Sequence, residues 1–244
     1  MTRENDQDRR TFLQGAALAS GGLLLTSFAP SSWADPRAQT APAAKPDETA
    51  EDVSPAEDLM REHGVLNRIL LIYDEAARRI DAKADLPPEP LAKASDLIRH
   101  YIEEYHEKLE EEHLFPRFLK ANRLVELVNV LLMQHGAGRR LTAEIKQRAT
   151  AAALKNPDES GRLLQSLRSF NRMYRPHEAR EDTVLFPAFR TLVTPSEYDA
   201  LGDDFENKEH VLFGADGFEK VVAEVAAIEK SLGIYELGQF TPRT

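Results

Sequence analysis

The chain has 244 residues, of which 42% are hydrophobic and only 12 are glycine, so it can bury one main core with appendages. It contains no cysteine, which excludes disulfides, iron–sulfur clusters and thiolate ligands, and any bound metal must therefore be held by His, Asp or Glu. A formal net charge of −10 argues against a nucleic-acid partner and against binding to an anionic membrane surface.

The first residues resemble a twin-arginine export signal. Arg9 and Arg10 precede a moderately apolar run, residues 15–29, that is too short and too rich in glycine for a comfortable membrane span. Small residues favour cleavage after Ala34. The resemblance predicts a signal peptide over residues 1–34 and export of a folded, cofactor-loaded protein by the twin-arginine machinery. The mature chain is then expected in the periplasm, without a stable membrane span.

A flexible linker is predicted next, over residues 35–53, which are rich in proline and show no apolar periodicity. A helix should begin directly after it. Ser54 is a suitable N-cap, Pro55 suits the first helical position, and Glu57 stands three residues after the cap. Apolar residues then recur at steps of three and four, which predicts a first helix to about Asp81.

The same spacing predicts a second and a third helix. The second carries apolar residues from Leu91 onwards, and Pro116 is expected to end or kink it. The third carries them over residues 124–145 and must stop before Pro157, because the residue preceding a proline is pushed out of helical geometry.

The fourth helix contains Pro176, which should kink it, and a further helical stretch follows Pro195 and ends at Gly233. No stretch alternates as a strand would. We therefore predict an all-α protein with an up-down four-helix bundle over residues 54–192. An additional C-terminal helix within residues 193–244 should pack on its outside.

An internal repeat carries the candidate metal ligands. Residues 106–118 align without gaps on residues 177–189, with seven of thirteen positions identical. The identical positions include two pairs spaced i, i+4, which places an imidazole and a carboxylate on one helix face. These pairs are His106 with Glu110 and His177 with Glu181.

Each pair is preceded by one more histidine on an apolar helix stripe. His63 lies 43 residues before His106, and His135 lies 42 residues before His177. Four histidines and two carboxylates thus point inward from four helices. This is the kind of ligand set that holds two iron ions in a bundle core.

In these residues, and in the Leu-Phe-Pro that follows each pair, the chain resembles the hemerythrin-like, His-His-Glu cation-binding family. The resemblance covers about residues 54–192. It implies a hemerythrin-type bundle with two non-haem iron ions, joined by an oxo or hydroxo bridge and by both glutamates. The implied ligands are His63, His106, Glu110, His135, His177 and Glu181.

One position departs from the oxygen-carrying members of the family. They have a second histidine four residues after the ligand of the third helix, where this chain has Arg139. Arginine cannot ligate iron, because its guanidinium is always protonated and has no acceptor. Water, a phenolate or another histidine would have to fill that position. Arg139 itself is a candidate catalytic residue, as a charged hydrogen-bond donor beside the site.

The arginine variant resembles a bacterial subgroup associated with peroxide or nitric-oxide chemistry. Three functions stay open: binding of a gas such as oxygen or nitric oxide, consumption of hydrogen peroxide in the manner of a catalase or peroxidase, and iron sensing or storage. His100 falls on another helix face, and His113 aligns with Val184 in the repeat, so neither is a predicted ligand. Roles beside the metal are left open for five further residues: Tyr105, Glu111, Tyr174, Asp182 and His210.

Overall fold

The computed structural model describes residues 53–242. The predicted signal peptide and all but the last residue of the predicted linker lie outside the described residues. The described part contains no strand, and besides a short 3₁₀ helix, Leu237–Phe240, it contains seven helices. They are α1 (Pro55–Asp81), α2 (consecutive segments Pro88–Leu97, Ile98–His106, Glu107–Leu109, Glu110–Leu114 and Phe115–Lys120), α3 (Val125–Arg148), α4 (Ala151–Lys155), α5 (consecutive segments Pro157–Arg180, Glu181–Leu185 and Phe186–Phe189), α6 (Pro195–Phe213) and α7 (Gly217–Leu232).

Four of these helices form a bundle. Helix α1 packs along α2 and α5, and α3 packs along the same two helices, so α1 and α3 stand at opposite corners. Short connections join successive helices, as in an up-down bundle. The apolar stripes of the four helices merge into one core, which contains fully buried residues such as Leu59, Tyr73, Phe118 and Phe170. The predicted all-α bundle is confirmed.

The helices begin where the sequence supplies caps. The Ser54 hydroxyl accepts a hydrogen bond from the Glu57 amide at 3.4 Å, with Pro55 in the first turn. The Asn156 side chain likewise accepts from two amides of the first turn of α5. Thr194 forms a complete capping box with Glu197 at the start of α6.

The C-terminal extension is helical, as expected, and it consists of two helices. They are separated at Gly214, where a φ of 78° ends α6. Helix α7 ends at Gly233, whose φ of 71° is the left-handed cap predicted there. Helix α7 packs on α1 and the first part of α2, and α6 packs on α1 and α7. The extension therefore covers one outer side of the bundle.

The internal prolines do not end their helices. Helix α2 continues through Pro116 to Lys120, and α5 continues through Pro176 to Phe189. Each of the two Leu-Phe-Pro sequences is preceded by a π-helical turn, Glu110–Leu114 in α2 and Glu181–Leu185 in α5. A proline has no N–H to donate, and its ring crowds the carbonyl four residues earlier. A wider turn before it relieves that clash.

These π turns begin at the two predicted glutamate ligands. The backbone carbonyl of Glu110 accepts from the amide of Phe115, and that of Glu181 accepts from the amide of Phe186. Single π turns inside α-helices are frequent at functional sites. The repeated Leu-Phe-Pro sequence therefore shapes the backbone at the residues expected to bind metal.

No helix within residues 53–242 is long and apolar enough to cross a membrane.

Candidate metal centre

The six predicted ligands lie together in the middle of the bundle. All are buried, with at most 4% of any of them exposed. They form two groups of four that share both glutamates, and the potential ligand atoms of each group lie within 4.8 Å of one another. One group contains His63, His106, Glu110 and Glu181, and the other contains Glu110, His135, His177 and Glu181.

Each carboxylate stands between imidazoles of the two groups. The Nε2 atoms of His63 and His177 lie 3.4 and 3.1 Å from Glu181, and those of His106 and His135 lie 3.8 and 3.4 Å from Glu110. Glu110 and Glu181 can therefore each contact an ion held by either group. This is the arrangement required of carboxylates that bridge two metal ions.

The donor atoms at the centre lack other partners. Within the described residues, both carboxylate oxygens of Glu110 and of Glu181 are buried and form no hydrogen bond, and the same is true of His135 Nε2. Buried polar atoms without partners are costly. Because imidazole nitrogens and carboxylate oxygens are good ligands for iron and similar ions, a bound metal would satisfy them.

The other nitrogen of every imidazole is held by a side-chain acceptor. The Nδ1 contacts are His63 with Asp182 at 2.7 Å, His106 with Glu62 at 2.6 Å, His135 with Glu111 at 3.1 Å and His177 with Gln134 at 2.9 Å. When Nδ1 donates to such an acceptor, the ring is fixed and Nε2 is left free to bind metal. All four rings are thus oriented for ligation through Nε2.

These four acceptors were not predicted as orienting groups, although the repeat contains a signal for them. Glu62 and Gln134 each directly precede the lone histidine of their helix, whereas Glu111 and Asp182 each directly follow a glutamate ligand. The repeat alignment itself places Glu111 on Asp182. An acceptor in equivalent positions of both halves would have indicated a shared role.

The Phe of each Leu-Phe-Pro sequence covers one of the lone histidines. Phe186 stacks on His63 with ring centroids 5.5 Å apart, and Phe115 stacks on His135 at the same distance. Both phenylalanines are 1% exposed. They keep bulk water from the imidazole faces, which strengthens electrostatic interactions at the centre.

Arg139 does not belong to either group of ligands. Its guanidinium lies 2.7 Å from Glu107 and 2.6 Å from Glu111, and Glu111 is the residue that accepts from His135. Arg139 therefore reaches the centre through Glu111. This is the position of a charged hydrogen-bond donor beside the site, which is the role considered for it in the sequence.

The residues with open roles are distributed around the centre rather than in it. Tyr174 donates to Glu107 at 2.7 Å, and Tyr105 donates to the carbonyl of Phe205 at 3.4 Å. His210 is exposed on α6. Tyr105, Tyr174 and His210 belong to neither of the two groups of four candidate ligands.

The two histidines left out of the prediction lie elsewhere. His100 is exposed and pairs with Glu104, and His113 lies 3.2 Å from the Lys208 ammonium. Neither is part of the two groups that share the glutamates.

Burial and neighbouring charges shift the pKa values of the candidate ligands in different directions. Burial, followed by the charge of Glu181, raises the pKa of Glu110 well above its usual range. Burial also disfavours the ionised form of Glu181, but the neighbouring His177 and His63 outweigh it and hold the pKa of this carboxyl low. Burial disfavours the charged form of His63, yet Asp182 and Glu181 raise its pKa to about 10. A metal ion must displace such protons, so its binding is expected to weaken as the pH falls.

The Hemerythrin HHE cation binding domain matches residues 54–189 of this chain, more than half of its length. The chain belongs to this family. Its relatives include uncharacterized proteins of Mycobacterium tuberculosis and Mycobacterium bovis. Each is 44% identical over 236 residues, which cover 96% of this chain and 91% of the relative. No solved structure matches the chain significantly. Family membership and the buried His/Glu groups together indicate metal binding in this HHE domain.

The orienting contacts can be tested at Asp182, whose side chain is one-third exposed and therefore tolerant of change. Asp182→Asn keeps the shape but weakens the acceptor for His63 Nδ1. We expect the affinity for metal to fall about tenfold, measured by competition with a chelator. Asp203→Asn, on the exposed surface of α6, is the control and should have no effect. Equal affinities in the two variants would show that Asp182 does not orient His63.

Proposed function

We propose that this HHE domain holds two non-haem iron ions, bridged by Glu110 and Glu181, and that the iron pair reacts with small oxidants or gases. Arg139 stands where the oxygen-carrying members of the family have a histidine, which favours hydrogen peroxide or nitric oxide over oxygen as the reactant, and peroxide is the first to be tested. The observation that carries the proposal is the sharing of both glutamates by two groups that contain two histidines each. Sites with two histidines and carboxylates that keep positions open are typical of non-haem iron that reacts with oxidants.

A route for small molecules supports the proposal. A surface cavity of about 320 Å³ between α3 and α5 is lined by His177 and by Gln134, the residue that holds the Nδ1 of His177. His177 is also the most exposed of the six predicted ligands, at 4%. Peroxide or a diatomic gas fits this approach, whereas a large substrate could not enter a centre so deeply buried.

When bound, an iron pair supplies redox equivalents and Lewis acidity. The chain supplies the surroundings. Asp182 and Glu111 orient imidazoles, and the phenylalanine rings exclude water. Burial opposes ionisation of Glu111, but hydrogen bonds with His135, Lys108 and Arg139 outweigh it, lower the pKa of this carboxyl to about 2 and keep it an ionised acceptor for His135. The arginine thus acts on the centre through a ligand's orienting partner.

The proposal is tested by metal analysis combined with stopped-flow spectroscopy. We expect close to two irons per chain and consumption of peroxide at a rate proportional to iron content. An iron-loaded protein that leaves peroxide untouched and binds oxygen or nitric oxide reversibly would favour gas binding instead. Uptake of many more than two ions would favour iron storage.

The proposed location is the periplasm, reached through the twin-arginine route with cleavage ahead of Asp35. The support is the order of Arg9-Arg10, the apolar run and the small residues in the sequence. Replacing both arginines by lysine should keep the protein in the cytoplasm, as measured by fractionation and N-terminal sequencing. Arg37→Lys, beyond the cleavage point, is the control. A double-lysine variant found in the periplasm with Asp35 at its N-terminus would contradict the assignment.

A further inference from the structure

A second group of acidic residues lies outside the His/Glu centre. Asp58 and Glu62 are one turn apart on α1, and Glu209 approaches them from α6. One carboxylate oxygen of each lies within 4.8 Å of the other two. We call these three residues the acidic triad.

One oxygen of the triad is buried and lacks a partner. Glu62 is fully buried, and its Oε2 accepts from His106 Nδ1 at 2.6 Å. Its Oε1 forms no hydrogen bond within residues 53–242. A buried carboxylate oxygen without a donor is costly, and a cation between the three carboxylates would satisfy it.

The carboxylate of Glu209 is fixed toward the other two. Its Oε1 accepts from the amide of Phe218 at 2.7 Å. A Cβ at Gly217 would lie 2.6 Å from this oxygen, so the close approach requires glycine. The turn between α6 and α7 thus holds Glu209 in place, although the extension lies outside the four-helix bundle.

The triad opens to solvent through a groove of about 460 Å³, whose lining includes Asp58 and Glu209 of the triad. The charge there is predominantly negative. Arg61 contributes a guanidinium 3.8 Å from Asp58, stacked on the ring of Phe218. Burial and the charges of Glu62 and Glu209 nevertheless raise the pKa of Asp58 to about 7. The carboxylates therefore repel one another, and a divalent cation would relieve that repulsion.

We propose that Asp58, Glu62 and Glu209 bind a divalent cation through oxygen ligands, and that ferrous iron occupies this site on its way from the groove to the His/Glu centre. The oxygen-only ligand set suits hard divalent ions such as Mn²⁺, and it would hold the borderline ion Fe²⁺ less firmly than the His/Glu centre does, as a transit site requires. Glu62 links the two sites, because the same side chain contributes to the triad and holds His106. The transit role rests on the proposed di-iron function, whereas the cation site does not.

The cation site is tested by titrating iron-loaded protein with Mn²⁺ and following the free ion by electron paramagnetic resonance. We expect one Mn²⁺ per chain beyond the iron. Asp58→Asn and Glu209→Gln should each weaken its binding about tenfold or more, because a ligand charge is lost. Glu206→Gln is the matched control, an exposed carboxylate on the same groove one turn before Glu209, and should weaken binding far less, because it removes a nearby charge but no ligand. Glu62 is left unchanged because its loss would disturb His106.

Absence of the Mn²⁺ site in iron-loaded protein, or equal weakening by Glu206→Gln, overturns the second site. Iron analysis of the same samples reports separately on the proposed centre. Glu209-dependent Mn²⁺ binding in a chain that holds no iron overturns the di-iron proposal alone.

The transit role is tested by the rate at which metal-free protein takes up Fe²⁺. Glu209→Gln should slow loading about tenfold while the final content stays at two irons per chain, since Glu209 supplies a ligand only to the transient site. Glu206→Gln should load at the rate of the unaltered chain. An unchanged rate in Glu209→Gln overturns the transit role.

Discussion

Replacing His106 by alanine should remove most of the iron and lower the melting temperature. Its Nε2 faces Glu110 at 3.8 Å in a site that is 2% exposed at the imidazole. The variant would also leave Glu62 buried without its imidazole partner. Binding that occurs only in the folded state stabilises it by about 4 kcal/mol when the metal is present at a thousand times its dissociation constant. For a domain of this size, that corresponds to roughly 8–16 °C.

The matched control is His113→Ala, on the same helix. His113 is partly exposed beside Lys208 and belongs to neither group of ligands. It should retain both irons and its melting temperature to within a few degrees. Iron analysis and calorimetry on metal-loaded and chelator-treated samples separate the two effects, because only the unaltered chain and His113→Ala should lose stability on chelation. Equal iron loss in His106→Ala and His113→Ala would show that the wrong face of α2 had been chosen.

The fold could be predicted because its determinants are local. The cap at Ser54, the glycine at 233 and the three-and-four spacing of apolar residues each depend on neighbours along one helix. The break at Gly214 was missed, since a single glycine within a periodic pattern does not reveal its φ. The π turns were missed for a similar reason: Pro116 indicates a disturbed turn, but not whether the helix ends, bends or widens.

The contacts around the centre were harder to predict because they join different helices. The repeat identified which residues face inward, but the Nδ1 partners depend on rotamers and on how far neighbouring helices are rotated. Gln134 illustrates the difficulty, since it precedes His135 in sequence yet holds His177 on another helix. Sequence spacing along one helix contains no information about such a contact.

The contacts of Arg139 were also hard to predict, because they depend on how far its long side chain extends. The sequence predicted a charged donor beside the site, but it did not indicate the partners of that donor, which are Glu107 and Glu111. In the other half of the internal repeat, the equivalent contact is formed by Asn67, whose side-chain amide donates to Glu178 at 2.6 Å. Both residues lie four positions after a lone histidine and hold a buried glutamate that directly follows a histidine ligand. The role of Arg139 is therefore best understood through the internal repeat.

Gly138→Ala should be among the most damaging single-methyl changes in the bundle. A Cβ at Gly138 would lie 1.9 Å from the hydroxyl oxygen of Tyr174 and 2.8 Å from its Cζ. Tyr174 cannot easily withdraw, because its ring is 1% exposed and lies 4.3 Å from that of Phe170 and 5.3 Å from that of His177. Its hydroxyl also donates to Glu107 at 2.7 Å.

The expected cost has two parts. Overpacking in a filled core costs about 1–3 kcal/mol. Losing the donor to the buried Glu107 costs about 1–3 kcal/mol more. Chemical denaturation should therefore show a loss of roughly 2–6 kcal/mol. The affinity for iron should fall as well, since the displaced tyrosine ring lies against His177.

Gly136→Ala provides the control on the same helix. Its added methyl would meet nothing closer than Arg140 at 3.7 Å. Alanine is a better helix former than glycine, so this variant should match the original stability or exceed it by up to about 1 kcal/mol.

A second variant distinguishes steric overlap with Tyr174 from a general intolerance of substitution in α3. Tyr174→Phe removes the oxygen that the new methyl would contact, so it should cost less in the Gly138→Ala background than in the original chain, where it only removes a hydrogen bond. Equal costs of Tyr174→Phe in the two backgrounds would show that the methyl and the hydroxyl do not meet, and the packing of α3 against α5 would have to be placed differently.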